Sequence, residues 1–184
     1  APLSAEAIQV RSLTELDLDG IVRIGEKTRN RYEPDLWEGR VTYYLRRAPE
    51  GSLVAEVDGE VAGFMLGDVR SGEFGIEEQC GWIEVMGVDP ELAGRGVGRA
   101  LAEEMLRRYA ARGGWARLLV FGGSQGSARL NAVVPAALAE LPAALRPEVL
   151  HQTGSHGFDE TQAAYRSRGI EADVRPFIDD MAGA

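Results

Sequence analysis

The sequence predicts an α/β fold built on one mixed sheet, antiparallel through its amino-terminal strands and continued by a parallel βαβαβ segment. Three observations lead there. An Asp58-Gly59 pair separates two β-rich runs, a strand–helix–strand pattern covers 82–121, and helix and strand patterns recur in turn beyond residue 127.

Ile8 to Arg11 alternates as a short strand, and Thr14 can cap a helix whose apolar positions Leu18, Ile21, Val22 and Ile24 lie near one face. A second helix is expected over Leu36 to Arg47. Ser52 to Val57 and Glu60 to Val69 form a hairpin, because a two-residue turn of this kind needs positive φ, which Asp and Gly tolerate. Trp82 to Val88 is the next strand, with Trp82, Glu84 and Met86 expected on one face by the period of two. Gly98 to Arg112 is a helix that gathers Leu101, Ala102, Met105, Leu106 and Tyr109 on one side before Gly113-Gly114 stops it. Ala116 to Phe121 follows as a strand, so the crossover should make it parallel to its predecessor. Ser127 to Leu141 reads as a helix with Leu130, Val134, Leu138 and Leu141 inward despite Pro135, and Glu148 to Gln152 as a strand. Asp159 with Gln162 gives a capping-box start to a helix reaching Arg168, Gly169 suits its stop, and Asp173 to Ile178 is the last strand.

A chain of 184 residues that is 45% hydrophobic can bury one sizeable core. The net charge of −9, with Lys and Arg interspersed among Asp and Glu, argues against nucleic acid as a partner. No stretch reads as an export signal or membrane span, and Cys80 is alone, which fits a reducing cytoplasm and a packing role for that thiol. His151 and His156 lie five apart with no third ligand nearby, so no metal site is expected.

In GWIEVMGVDPELAGRGVGRALAEEM a strand runs through a glycine-containing turn directly into a helix. Unpaired N–H groups and the positive end of the helix converge there, a place for an anion, with Arg95 and Arg99 at the rim. The segment resembles motif A of the GNAT superfamily of N-acyltransferases, and the order of elements from residue 8 to about 119 is similar to that family's first five strands. The resemblance implies acetyl-CoA as cofactor. Gly94, Arg95, Gly96, Val97, Gly98 and Arg99 would hold its pyrophosphate, and Met86 and Val88 would offer backbone groups to the thioester and pantetheine. Ala93 stands where the family usually has Arg or Gln. Glu84 is the candidate general base for an amine, acting through water, and equally reads as a salt-bridged strand carboxylate. Tyr32, Trp37, Tyr43 and Tyr44 fall in the region that resembles the family's acceptor wall. Tyr165, followed by Gly169 and Ile170, is similar to the family's tyrosine general acid, although it lies well past the fifth strand and also reads as a packed helix tyrosine.

From VFGGSQGSARLNAVVPAALAEL through VLHQTG to RPFIDDMA the chain resembles the opening of the donor-binding domain of the cell-wall glycosyltransferases that transfer N-acetylglucosamine to undecaprenyl-linked muramoyl-pentapeptide. That resemblance implies a residual UDP-GlcNAc half-site: Gly123, Ser124 and Gln125 toward phosphate, Phe177 capping the base, and Ile178 offering backbone hydrogen bonds. Only the opening of that domain is represented, so glycosyl transfer is not expected and sugar-nucleotide binding should be weak.

The whole therefore reads as a chimera, made by recombining segments: a GNAT-like acetyl-CoA-binding part, 1–119, and a Rossmann-like glycosyltransferase part, 120–184, sharing one sheet and core. The leading functional expectation is an amine acetyltransferase with weakened or lost catalysis. The alternatives are a folded scaffold without activity and a weak uridine-nucleotide binder. Strand edges left by the splice favour a homodimer.

Overall fold

The computed structural model describes residues 7–70, 79–112, 115–121 and 128–178. Its hairpin forms as the turn residues dictate. Asp58 and Gly59 take φ of 53° and 81° and join β2 (Ser52–Val57) to β3 (Glu60–Arg70) in antiparallel pairing. β1 (Gln9–Ser12) pairs on the other side of β2, and β4 (Gln79–Val88) pairs antiparallel with β3. From there the sense changes. β5 (Trp115–Phe121), β6 (Glu148–Gln152) and β7 (Asp173–Arg175) add in turn, each parallel to its predecessor, so the seven described strands stand in chain order.

The helices divide between the two faces. α1 (Leu18–Arg29) and α2 (Pro34–Arg47) cover one, where Ile21, Ile24, Trp37 and Val41 pack on Val54, Phe64 and Leu66. α3 (Val97–Ala111), α4 (Ala128–Glu140) and α5 (Phe158–Arg166) form a contiguous layer on the other, α3 touching α4 and α4 touching α5. Leu101, Met105 and Leu106 before residue 120 share one buried cluster with Val134, Leu138 and Val149 after it. The two sequence lineages thus meet in a single interior, where removing a leucine side chain costs about 2–5 kcal/mol.

Three local expectations are corrected. Thr14 caps a short 3₁₀ turn, Glu15–Asp17, and α1 begins after it at Leu18. The capping box at Asp159 does not form: Gly157 is the residue before α5, and Asp159 and Glu160 lie in the first turn, where their charge faces the positive helix end. Gly169 does terminate that region, at φ 63°. Third, Trp82, Glu84 and Met86 do not share a face. Leu66 pairs with Val85 and Gly67 with Ile83, so Glu84 is the extra residue of a β-bulge, and the alternation resumes out of phase after it. Met86 consequently packs with the α3 layer, while Trp82 joins Leu119 and Ile178 on the opposite side. A Cβ on Gly67 would stand 2.3 Å from the Trp82 carbonyl and 2.4 Å from the Tyr109 hydroxyl, so the bulge needs glycine there. Tyr109 of α3 donates to that carbonyl at 2.9 Å and fastens it. No helix among the described residues is long and apolar enough to cross a membrane.

Candidate functional site

Two cavities flank the carboxyl-terminal half of β4. The first, about 520 Å³, lies over the bulge and is lined by Asp35, Arg40, Tyr43, Tyr44, Arg70 and Glu84. The bulge turns the Glu84 carboxylate toward α2, where Tyr44 donates its hydroxyl to Oε2. Arg70 donates to Oε1 at 2.8 Å and also to Asp68 at 3.0 Å, and its guanidinium lies 5.1 Å from the Trp82 ring centroid. Burial, reinforced by the hydrogen bond and negative charge of Glu84, pushes the Tyr44 phenol well above its ordinary range, so it stays a donor. Of the four aromatic residues expected at an acceptor wall, Tyr43 and Tyr44 line this cavity. Trp37 is buried against Phe64 and Tyr32 is exposed.

The second cavity, about 390 Å³, is a cleft between the end of β4, the loop before α3, and helices α3 and α4. Described β4–β5 pairs run only as far as Ile83, although β4 continues to Val88, so among the described residues the β5 side of Glu84–Val88 has no strand partner. Met86 and Val88 line the cleft with Gly94, Gly96, Gly98, Arg99 and Arg129. Gly94 and Gly96 take φ of 73° and 101°, a conformation that favours glycine, and Gly96 is the residue before α3. The first N–H groups of α3, from Val97 on, are left without intrahelical acceptors by helix geometry and belong to this wall. Of the predicted strand, loop and helix residues, all but Arg95 line this one cleft.

The charges around the cleft are less simple than the sequence suggests. Arg99 is held by Glu103 at 2.6 Å and by Glu140 of α4 at 2.5 Å. Arg95 makes no ion pair among the described residues. Arg129 of α4 reaches β4, where its Nη1 donates to the Val88 carbonyl at 2.6 Å. Nothing local in the sequence marks that contact, which spans 41 positions.

The remaining predicted residues lie elsewhere. Tyr165 is only 1% exposed and lines neither cavity. Its hydroxyl meets His151 Nδ1 at 2.9 Å, His151 Nε2 meets Asn131 Oδ1 at 3.0 Å, and Asn131 Nδ2 donates to the Thr153 carbonyl at 3.0 Å. Because that amide nitrogen is already donating, the ring presents Nε2–H to Asn131 and accepts the Tyr165 hydroxyl at Nδ1. Desolvation brings the His151 pKa down to about 3. This network joins α4, β6 and α5 inside the core. Phe177 is half exposed, and the Ile178 N–H donates to Gln152 Oε1 at 3.1 Å. Gly123, Ser124 and Gln125 lie outside the described residues. Cys80 is buried and desolvation raises its thiol pKa. Among the described residues no cluster of three or more His, Cys, Asp or Glu side chains is placed to hold a metal.

Comparison with known proteins gives two family matches that overlap over 117–130. Residues 17–130 match the acetyltransferase (GNAT) family, and residues 117–184 match the glycosyltransferase family 28 C-terminal domain. Among curated proteins, the UDP-N-acetylglucosamine--N-acetylmuramyl-(pentapeptide) pyrophosphoryl-undecaprenol N-acetylglucosamine transferase of Bordetella parapertussis is 53% identical over 81 residues, 44% of this chain and 23% of that protein. The Verminephrobacter eiseniae protein of the same name is 54% identical over 77 residues, 42% of this chain and 21% of its own length. The chain thus spans less than a quarter of these relatives. Among solved structures, aminoglycoside N-acetyltransferase AAC(6')-Iy in complex with CoA superposes with a TM-score of 0.59 over 93% of this chain and 92% of that one, at 15% identity. An aminoglycoside acetyltransferase from an uncultured soil metagenomic sample gives 0.51 over 65% and 80%, at 18% identity. These likenesses concern the fold.

Proposed function

The chain belongs to the acetyltransferase (GNAT) family, and from that premise we propose that it binds acetyl-CoA in the cleft between β4 and α3 and has at most weak capacity to pass the acetyl group to an amine. The observation that carries this reading is that Met86 and Val88, beyond the last described β4–β5 pair at Ile83, line one cleft with Gly94, Gly96 and Gly98 at the amino end of α3. Glycines at 94, 96 and 98 keep side chains from standing between a diphosphate and the backbone N–H groups, and Arg99 and Arg129 line the same cleft.

The acceptor amine would enter the Tyr43–Tyr44 cavity. Glu84 takes its proton through water, the amine nitrogen attacks the thioester carbonyl, and the carbon–sulfur bond breaks to release the thiolate. Two features reduce the rate. Both Glu84 oxygens already accept hydrogen bonds, from Tyr44 and Arg70, and Tyr165, the candidate acid, is in the core. Water would then protonate the thiolate.

A second reading, a folded scaffold without turnover, is favoured by the two contacts that α4 makes into the cleft, Arg129 with Val88 and Glu140 with Arg99. A uridine-nucleotide half-site has less support, since the Ile178 N–H is engaged by Gln152. Calorimetry with acetyl-CoA and with UDP-N-acetylglucosamine separates these. Heat with acetyl-CoA alone is expected, heat with neither supports the scaffold, and heat with the sugar nucleotide alone overturns the proposal.

A further inference from the structure

Among the described residues, the β5 side of Glu84–Val88 is the one stretch of β4 without a strand partner, where a ligand could add as a strand. Its last carbonyl is not free. The Arg129 guanidinium donates to Val88 O at 2.6 Å, makes no ion pair among the described residues, and lines the same cleft as Met86 and Gly98. A charged donor on a half-buried carbonyl makes a hydrogen bond stronger than a neutral one. The same helix fixes the cleft's other wall, since Glu140 of α4 holds Arg99 of α3 at 2.5 Å. A helix from the second lineage therefore closes a groove belonging to the first.

We propose that Arg129 is the specificity-determining residue of this cleft: it occupies the Val88 carbonyl in the free protein and has to be displaced before an amide-bearing arm can pair with β4. The proposal rests on the reading of the cleft as an acetyl-CoA site. It predicts that the cleft discriminates against neutral amide arms. An arm without phosphates has nothing to offer the displaced guanidinium, whereas an arm carrying a diphosphate presents it with a counter-charge.

The test is an NMR chemical-shift titration of the full chain, Arg129→Met and Arg129→Ala with phosphate-free S-acetylpantetheine, run beside calorimetry of all three with acetyl-CoA. Circular dichroism establishes that each is folded, and Met retains the packing of the arginine stem if Ala does not fold. Arg129→Met should bind S-acetylpantetheine about tenfold tighter than the parent, the effect of losing one charge-assisted hydrogen bond. Unchanged or weaker arm binding in the variants, with acetyl-CoA still bound by the parent, overturns the role of Arg129 and leaves the acetyl-CoA site standing. If no folded protein binds either compound, the site reading falls and the role of Arg129 falls with it.

Discussion

Tyr44 and Glu84, forty positions apart, are hydrogen-bonded to each other at the one place where β4 bulges away from β3. The carboxylate is thus aimed by strand irregularity and held by a helix, and a conservative amide should keep that geometry while removing the base. Glu84→Gln is expected to fold normally and bind acetyl-CoA with unchanged affinity. Any amine-dependent thiol release should fall about 10²–10⁴-fold, the usual range for losing a general base. Turnover equal to the parent's would remove Glu84 from the mechanism.

Gly96 and Gly98 should respond oppositely to alanine. Gly96 has φ of 101°, and a Cβ there is strained although its nearest neighbour, Ile8 Cδ1, is 3.7 Å away. Gly96→Ala should lose about 1–2 kcal/mol in urea denaturation. Gly98 lies in the first turn of α3, and its Cβ would make ordinary contacts of 3.4–3.5 Å with Val133, Met86 and Val88. Gly98→Ala should gain about 0.4–1 kcal/mol while weakening acetyl-CoA binding, because the new methyl group projects into the cleft.

Stability should depend on His151 in mildly acid solution. Its folded-state pKa is depressed to about 3, from an ordinary value near 6.5, so below pH 6.5 the unfolded chain takes up a proton that the folded chain refuses. The contribution is complete above pH 6.5 and is lost as pH falls toward 3, at up to about 1.4 kcal/mol per pH unit. Urea titrations of the parent and His151→Gln from pH 7 to pH 4 should differ in slope by roughly that amount. Parallel curves would contradict the assigned neutral ring.

Tyr165→Phe distinguishes a structural tyrosine from an acid. It leaves His151 Nδ1 without its 2.9 Å partner in the core, and about 1–3 kcal/mol of stability should be lost. Thiol release should be unaltered. A pH–rate profile that loses its alkaline limb in this variant would instead give Tyr165 a role in proton transfer.

What the sequence made legible was mostly local. The Asp58-Gly59 turn, the β4–α3 glycine loop and the strand at Glu148–Gln152 were readable because turn chemistry and apolar period act over a few residues. The change from antiparallel to parallel pairing at β4 was also readable, since a helix between two strands requires it. The bulge at Glu84 was not. It depends on Gly67 and Tyr109, which approach Trp82 from another strand and another helix. Arg129 at Val88 and the His151–Tyr165–Asn131 network were hidden for the same reason. Each partner looks ordinary alone, and only the tertiary fold sets them side by side.

The interleaving of Leu101 and Met105 with Val134 and Leu138 has a consequence for how this molecule comes apart. The amino-terminal part keeps a second cluster under α1 and α2, whereas the carboxyl-terminal helices bury their leucines and valines against α3, so heat that melts the shared cluster should take the carboxyl-terminal part with it. A protease cut near residue 120 should release no independently folded carboxyl-terminal fragment.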